Sequence, residues 1–368
     1  MAWTQPQHAK VEVNAAGRTL VRGLYGAPDW NPDEWANFEN AIDIIDNWRA
    51  SHTFPLNTLQ MNLRRSARRF DPTALVAQRV KRLISIGNKL QRFPQMKLSQ
   101  IQDIGGCRAV LDSVDDVERL KDYYLHNSNM KHQRATVDDY IACPKASGYR
   151  GVHIVYRYRS DKNERYNDMK IEMQLRSRYQ HAWATAVETV GTFVQQALKS
   201  SIGHKEWLHF FELMGTAIAI REERPVVPST PSTKERLLNE LQDYTLRLDV
   251  PNRLRGYGNA MKAIRQHATK KTQYYLLELD PSESQLTITG FKQNELQRAQ
   301  IKYSEAERRV RERTGTDAVL VSVDRLTALE RAYPNYFADT RVFLELLDQT
   351  LIGEEEEIST EPLRLEPV

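Results

Sequence analysis

Along the first 223 residues, apolar positions alternate between a spacing near 3.6 and a spacing of two. Residues 34–50 and 76–93 repeat apolar side chains at helical intervals, which predicts two amphipathic helices. A β-like run, Cys107-Arg-Ala-Val-Leu, leads to Ser113, and a charged helix is expected over residues 114–125. Alternation over residues 153–158 and 170–175 predicts two strands, and apolar-faced helices follow over 179–198 and 206–221. Helices interspersed with a few strands suggest an α+β fold, a mixed β-sheet covered by helices.

Residues 224–233 hold three prolines and four hydroxyl side chains. Proline fixes φ and removes donors, so the segment reads as an extended linker. Ser232 or Thr233 is placed to cap a helix over 234–248. Runs 273–279 and 285–291 flank Asp280-Pro-Ser-Glu-Ser, the signature of a β-hairpin, and 318–323 supplies another strand. A helix over 334–351 should end near Gly353. The expected organisation is a first domain (1–223), a linker (224–233), a small α+β module (234–353) and an acidic, disordered tail (354–368).

Composition bounds what these domains can be. The 368 residues are 27% charged and 40% hydrophobic, with mean hydropathy −0.61, values of a globular chain rather than a membrane-spanning or disordered one. No window approaches the roughly 18 unbroken apolar residues of a spanning helix. The first residues lack the basic start and apolar run of a signal peptide. Two cysteines, Cys107 and Cys143, exclude a disulfide framework and make a reducing cytoplasm the simplest compartment.

Charge is unevenly placed. Between residues 64 and 92 stand nine Lys and Arg and a single acid, Asp71. Such a field attracts polyanions, nucleotides or RNA; a solvated helix face is the other reading. Within the window Lys81, Ser85, Lys89 and Arg92 are spaced to share one helix face, a cationic stripe with a hydroxyl as a triphosphate requires. Asp103, before a Gly-Gly turn entering a strand, suits a Mg²⁺ ligand or a turn cap. Glycines flank Tyr149-Arg150 in a loop that also carries Lys145 and precedes His153; charge and a stacking ring would suit a nucleotide base. Strand alternation puts Glu172, Gln174 and Arg176 on one face, a polar row that is costly to bury without a partner.

The order and content of these segments resemble the synthetase domain of the RelA/SpoT family. The family's Arg-x-Lys-x-x-x-Ser-x-x-x-Lys motif is matched by Arg79, Lys81, Ser85 and Lys89. Its Asp-x-x-Gly-x-Arg turn is matched by Asp103-Ile-Gly-Gly-Cys-Arg108. Its Asp-Tyr-Ile-x-x-Pro-Lys-x-x-Gly-Tyr-x-x-x-His loop is matched from Asp139 to His153, and its Glu-Ile-Gln-Ile-Arg strand by Glu172 to Arg176. The resemblance implies a nucleotidyltransferase-like sheet and a pyrophosphokinase that moves pyrophosphate from ATP to a ribose 3′-hydroxyl. Arg79, Lys81, Ser85, Lys89 and Arg92 would hold ATP. Asp103 and Glu172 would bind Mg²⁺, Glu172 also helping to deprotonate the hydroxyl. Tyr149 would stack on the acceptor base, with Lys145, Arg150, His153, Gln174 and Arg176 lining its site. The family's His- and Asp-rich hydrolase domain has no counterpart in this sequence.

Ordinary members use GDP or GTP as acceptor and make an alarmone; a toxic branch instead modifies the 3′-terminal adenosine of tRNA and blocks translation. Arg64, Arg65, Arg68 and Arg69 lie outside the nucleotide motifs and suit an acceptor-stem backbone. The second module resembles the fused antitoxin of CapRel-type proteins, a pseudo-zinc finger; with no Cys and only His267 after Pro228, it cannot hold a structural zinc. Tyr333-Pro-Asn-Tyr336-Phe resembles the tyrosine motif that such antitoxins press on the ATP site. The resemblance therefore implies an autoinhibited tRNA pyrophosphokinase of phage defence, released by a phage protein acting on the second module. Its alternatives are an alarmone synthetase and a catalytically silent nucleotide- or RNA-binding regulator.

Overall fold

The computed structural model describes residues 3–26, 30–81, 83–197, 203–267, 272, 274–280, 285–295, 298–299, 301–302, 305–306, 317–322 and 340–353. It divides into two compact units, Met1–Asp139 with Gly151–Ser177, and Tyr140–Arg150 with Arg178–Val368.

The first unit begins with helices α1 (Lys10–Tyr25), α2 (Pro32–Ser51) and α3 (Thr53–Phe70). Asn31 and Glu34 start α2 with a reciprocal capping box, each side chain accepting from the other's backbone N–H, and Pro32 supplies the first helical φ. Five strands follow among further helices: β1 (Leu75–Val80), β2 (Gly105–Leu111), β3 (Gln133–Asp139), β4 (Val152–Arg157) and β5 (Lys170–Ser177). Helix α4 (Leu83–Arg92) follows β1, and α5 (Val114–Asp122), capped by Ser113, follows β2. The sheet order is β1-β2-β5-β4-β3, parallel only between β2 and β5.

One sheet face is covered by α3 and α5. Ile171, Met173, Leu175, Cys107 and Ala109 are buried on that side, and Leu56, Leu59 and Leu63 of α3 are buried at helical spacing. Each such leucine contributes about 1.5–3 kcal/mol. His52, at the start of α3, is buried among them and donates Nδ1–H to the Trp48 carbonyl at 2.7 Å.

The helix expected over residues 76–93 is corrected. Its first third is β1, paired residue by residue with β2 from Leu75↔Val110 to Val80↔Gly105, and the helix starts only at Leu83. Val76 and Val80, four apart, mimic a helical stripe, but β-branched residues also suit a strand, and the β2 ladder decides between them. The edge strand β3 was not legible, since its Gln-Arg-Ala-Thr-Val-Asp-Asp is mostly polar and exposed.

The second unit contains α6 (Arg178–Ala197), α7 (Gly203–Arg221), α8 (Lys234–Arg247), α9 (Val250–His267) and α10 (Arg341–Ile352). Strands β6 (Tyr274–Asp280), β7 (Gln285–Phe291) and β8 (Asp317–Ser322) form an antiparallel sheet of order β7-β6-β8. Thr233 caps α8, and Gly353 ends α10 at φ 77°. Its core joins residues from both sides of the expected linker: Trp183, Phe210, Phe211 and Met214 share it with Leu237, Leu241, Leu254, Tyr257, Phe343 and Leu347. The proline-rich segment is irregular but pinned. Val227 is buried, its N–H donates to Thr216 Oγ1 at 3.2 Å, and the Thr216 and Thr230 hydroxyls are 2.8 Å apart. The compact units are thus drawn elsewhere than at residue 224. The tail 354–368 and the pair Tyr333 and Tyr336 lie outside the described residues.

Candidate functional site

The sheet face turned away from α3 carries the motif residues, and strand register places them in two adjacent rungs. Arg79, Gly106, Glu172 and Val155 form one; Ala77, Arg108, Gln174, His153 and Asp138 form the next. Gly106 matters here because a side chain there would stand between Arg79 and Glu172. A Cβ on it would meet nothing closer than the Glu172 carbonyl oxygen at 3.8 Å, so the space above it is open.

Beside these rungs, Asp103 accepts from two ammonium groups, Lys81 Nζ at 2.5 Å and Lys89 Nζ at 2.9 Å. Lys81 follows β1, its N–H anchored on the Ile104 carbonyl at 2.7 Å, and Lys89 projects from α4. Burial alone would raise the Asp103 carboxyl, but the charges of Lys81 and Lys89 and their hydrogen bonds hold it at about 2. Burial pushes the Lys81 ammonium below its ordinary value. The directions are compatible: Asp103 receives two cations, whereas Lys81 is largely desolvated and shares its single anion with Lys89.

The second carboxylate is fully engaged. His153 Nδ1 lies 3.0 Å from Glu172 Oε1, and Gln174 Nε2 donates to Glu172 Oε2 at 2.6 Å. Gln174 Oε1 in turn accepts from Arg108 Nε at 3.2 Å and Arg176 Nη2 at 3.3 Å. A carboxylate only accepts, so His153 carries its proton on Nδ1. Burial raises Glu172, but the hydrogen bond and charge of His153 bring it below its ordinary value despite repulsion from Asp103. Two ionised carboxylates that sense one another fit Mg²⁺, which takes one or two protein carboxylates and completes its shell with phosphates and water. Among the described residues no group of three or more His, Cys, Asp or Glu could hold a metal alone.

Ser85, Lys89 and Arg92 are spaced along α4 as expected, but Lys81 stands before the helix; Arg92 is exposed and lies over the Phe93 ring, 5.4 Å from its centroid. Arg108 was missing from the expected site although it ends the same Asp-x-x-Gly-x-Arg motif as Asp103, three residues into β2. That motif's spacing was its signal.

In the second unit, the loop 140–150 forms its own cluster. Lys145 Nζ lies 4.0 Å from the Tyr140 ring centroid and 5.1 Å from that of Tyr149. Tyr149 also meets Trp183 edge-on at 6.2 Å. Gly148, at φ 83°, packs so closely on α7 that a Cβ on Gly215 would be 2.6 Å from its Cα. Arg150 is corrected from acceptor ligand to loop anchor: it is 2% exposed, and its guanidinium donates to the carbonyls of Gly215, Ile141 and Pro225. A side chain this buried, with Nε, Nη1 and Nη2 each donating to a carbonyl, serves to hold the loop. Cys107 is buried and Cys143 exposed, and burial pushes the Cys107 thiol far up.

Arg64, Arg65, Arg68 and Arg69 are exposed on α3, the helix that covers the opposite sheet face from Glu172. They continue into an arginine–aromatic ladder: Arg69 over Tyr123 at 5.3 Å, Tyr123 beside Phe70 at 6.0 Å, and Arg119 over Phe70 at 5.5 Å. The structure therefore does not bring this patch together with the carboxylates.

Residues 78–192 match the family model described as "Region found in RelA / SpoT proteins", an interval that contains every site residue from Arg79 to Arg176. Two similar proteins are GTP pyrophosphokinases of Bacillus subtilis (strain 168). YjbM is 33% identical over 118 residues, which are 31% of this chain and 54% of YjbM; YwaC is 26% identical over 163 residues, 42% and 72%. The chain thus spans about half the length of the first relative. Among solved structures, small alarmone synthetase 1 from Bacillus subtilis is 22% identical with a TM-score of 0.41, covering 49% of this chain and 93% of that one. A GTP pyrophosphokinase family protein from Streptococcus pneumoniae is 27% identical with a TM-score of 0.38, covering 46% and 84%. No helix among the described residues is long and apolar enough to cross a membrane.

Proposed function

We propose that the chain is an ATP pyrophosphotransferase whose acceptor is the 3′-hydroxyl of the tRNA 3′-terminal adenosine. The observation that carries the transferase reading is the pairing of two ionised carboxylates, Asp103 and Glu172, with two lysines on Asp103. In the reaction the acceptor 3′-oxygen bonds to the β-phosphorus of ATP, the bond to the α–β bridging oxygen breaks, and AMP leaves. Arg79 holds the adenine, while Lys81, Ser85 and Lys89 hold the phosphates against the charge that builds on them. Mg²⁺, held by Asp103 and Glu172, would neutralise phosphate charge there. Glu172, below its ordinary pKa, is a weak base and takes the hydroxyl proton late, as the new P–O bond forms. His153 and Gln174 fix its orientation. Tyr149 and Lys145 supply the stacking ring and charge for the acceptor end.

The tRNA acceptor is supported by the exposed arginine–aromatic ladder, whose chemistry suits an RNA backbone. A second reading, GDP or GTP as acceptor, is favoured by the relatives YjbM and YwaC, both GTP pyrophosphokinases. The same proposal makes the pseudo-zinc-finger-like C-terminal module an intramolecular inhibitor acting through Tyr333 and Tyr336, relieved by a phage protein. The motif Tyr333-Pro-Asn-Tyr336-Phe supports this reading.

The test uses γ-labelled ATP with total tRNA, GDP and GTP, on the full chain and on its Tyr333→Ala/Tyr336→Ala variant. Label in tRNA supports the first reading and label in a nucleotide the second. Unchanged ATP overturns the transferase.

A further inference from the structure

Three cations on or beside the site face stand where folding alone disfavours them. Arg157 and Lys170 are direct cross-strand partners on β4 and β5, and like charges so placed repel. By strand alternation they share the face of Glu172, Lys170 standing two residues along β5. Lys10 opens α1, so its charge meets the positive end of the helix dipole. Among the described residues none of the three has a carboxylate at ion-pair distance. Lys170 Nζ finds one partner, the Gln100 carbonyl oxygen at 3.3 Å. Burial lowers the Lys170 pKa, and the charges of Arg157 and Lys10 lower it further, so Lys170 senses both.

Glu12 in the first turn of α1 offsets part of the dipole cost for Lys10, whereas the cross-strand pair of Arg157 and Lys170 has only the Gln100 carbonyl. A sequence that is otherwise locally consistent breaks such rules at functional sites. We infer that Lys10, Arg157 and Lys170 form a phosphate-binding subsite that extends the polar face of the sheet beyond Glu172. Its ligand chemistry is a phosphate group carrying one or two negative charges, from a nucleotide's phosphates or from an RNA backbone. A phosphate there supplies the missing counter-charge to the cross-strand pair, with Lys10 as a third cation. The subsite is separate from Lys81 and Lys89, which are held by Asp103. It stands whether or not the chain transfers pyrophosphate, because its test reads binding.

The experiment compares the full chain with Arg157→Gln/Lys170→Gln and, on the other element, with Lys10→Gln. Binding of inorganic pyrophosphate, ATP and total tRNA is measured by titration, with thermal unfolding as the control on folding. The expected result is a double variant that melts no lower than the parent yet binds one phosphate probe about tenfold more weakly, the loss expected when charge-assisted contacts are removed. Lys10→Gln shows a smaller loss for the same probe. Weaker pyrophosphate and ATP binding assigns the subsite to nucleotide phosphates. Weaker tRNA binding alone, with a flatter salt dependence, assigns it to the RNA backbone. Unchanged affinity for all three probes overturns the inference. So does a double variant that unfolds, because the pair would then support the fold and not oppose it.

Discussion

Lys81 Nζ stands 2.5 Å from Asp103 Oδ2, a pair in which the proposed mechanism sends the ammonium to a phosphate and the carboxylate to a metal. Each therefore holds the other's place. Asp103→Asn leaves two ammonium groups facing an amide, and the partial exposure of Lys89 keeps the cost to about 1–3 kcal/mol, below the value for a fully buried pair. The expected outcome is a lower unfolding midpoint together with a fall in transfer of about 10²-fold or more. Adding Lys81→Met should recover most of the stability and none of the activity. Recovery of activity would assign Asp103 to turn capping.

Tyr149→Phe should keep transfer near the parent rate, and Tyr149→Ala should lose acceptor affinity by about 1–3 kcal/mol, the worth of one stacked base. The ring's edge contacts with Tyr140 and Trp183 hold it in place, so its orientation is set before any acceptor arrives. Acceptor KM and ATP KM measured side by side check this. A parallel rise in both would mean the loop's role is structural.

Replacing Arg65, Arg68 and Arg69 with Gln should leave stability within about 0.5 kcal/mol, since all three are exposed. Because α3 covers the opposite sheet face, a patch that holds RNA there would change affinity and not the reacting step. The KM for tRNA should rise with kcat unchanged, and the salt slope of binding should flatten by about 0.7–0.9 per lost contact.

His52 gives the first unit a pH dependence. Burial lowers its pKa to about 4 from an ordinary 6.5, against a hydrogen bond to the Trp48 carbonyl. The folded state therefore favours the neutral ring. The stability it contributes is complete above pH 6.5 and declines as pH falls towards 4, by up to about 3 kcal/mol. Urea unfolding of the parent and of His52→Gln between pH 7.5 and 4.5 should show the gap between them closing by roughly that amount. A constant gap would mean the ring protonates freely in the fold.

Much of the site was legible from sequence because its chemistry rests on short spacings. Glu172, Gln174 and His153 come together through strand register, Asp103 stands two residues before β2, and alternation alone put Glu172 and Gln174 on one face. The β1 segment was misread because Val76 and Val80 satisfy both periods until a partner strand is known. Arg150 looked like a ligand because a guanidinium beside glycines reads as exposed; its burial depends on carbonyls at Gly215 and Pro225, far along the chain. The proline-rich segment marked a change of texture, yet Val227 and Thr230 are held by Thr216 in α7. Such contacts leave no local trace.

That last arrangement changes how autoinhibition must be tested. A chain cut after Pro228 keeps Trp207, Phe210, Phe211 and Met214 but loses Leu237, Leu241, Leu254, Tyr257, Phe343 and Leu347, which share their core. Each large apolar side chain returned to water costs about 1.5–3 kcal/mol, so the four left behind cost about 6–12 kcal/mol, comparable to the roughly 5–15 kcal/mol that holds a typical domain together. The truncated chain is expected to aggregate or to bind a hydrophobic dye, with α6 and α7 open to limited proteolysis. Its failure to arrest growth would then report unfolding, not the absence of a toxin. The informative comparison keeps the chain whole: growth after induction of the parent, of Tyr333→Ala/Tyr336→Ala, and of the same variant carrying Asp103→Asn. An inhibitor carried on the same chain would act intramolecularly, so its release would be independent of dilution. Moving a closed-to-open ratio from 99:1 to 1:99 takes about 5.5 kcal/mol, of which two aromatic side chains can supply a large share. The expected result is arrest by the double variant, none by the parent, and none once Asp103 is replaced. If the double variant keeps a parental unfolding midpoint and cells still grow, the tyrosines do not restrain the site, and the reading of the C-terminal module as an inhibitor through them fails.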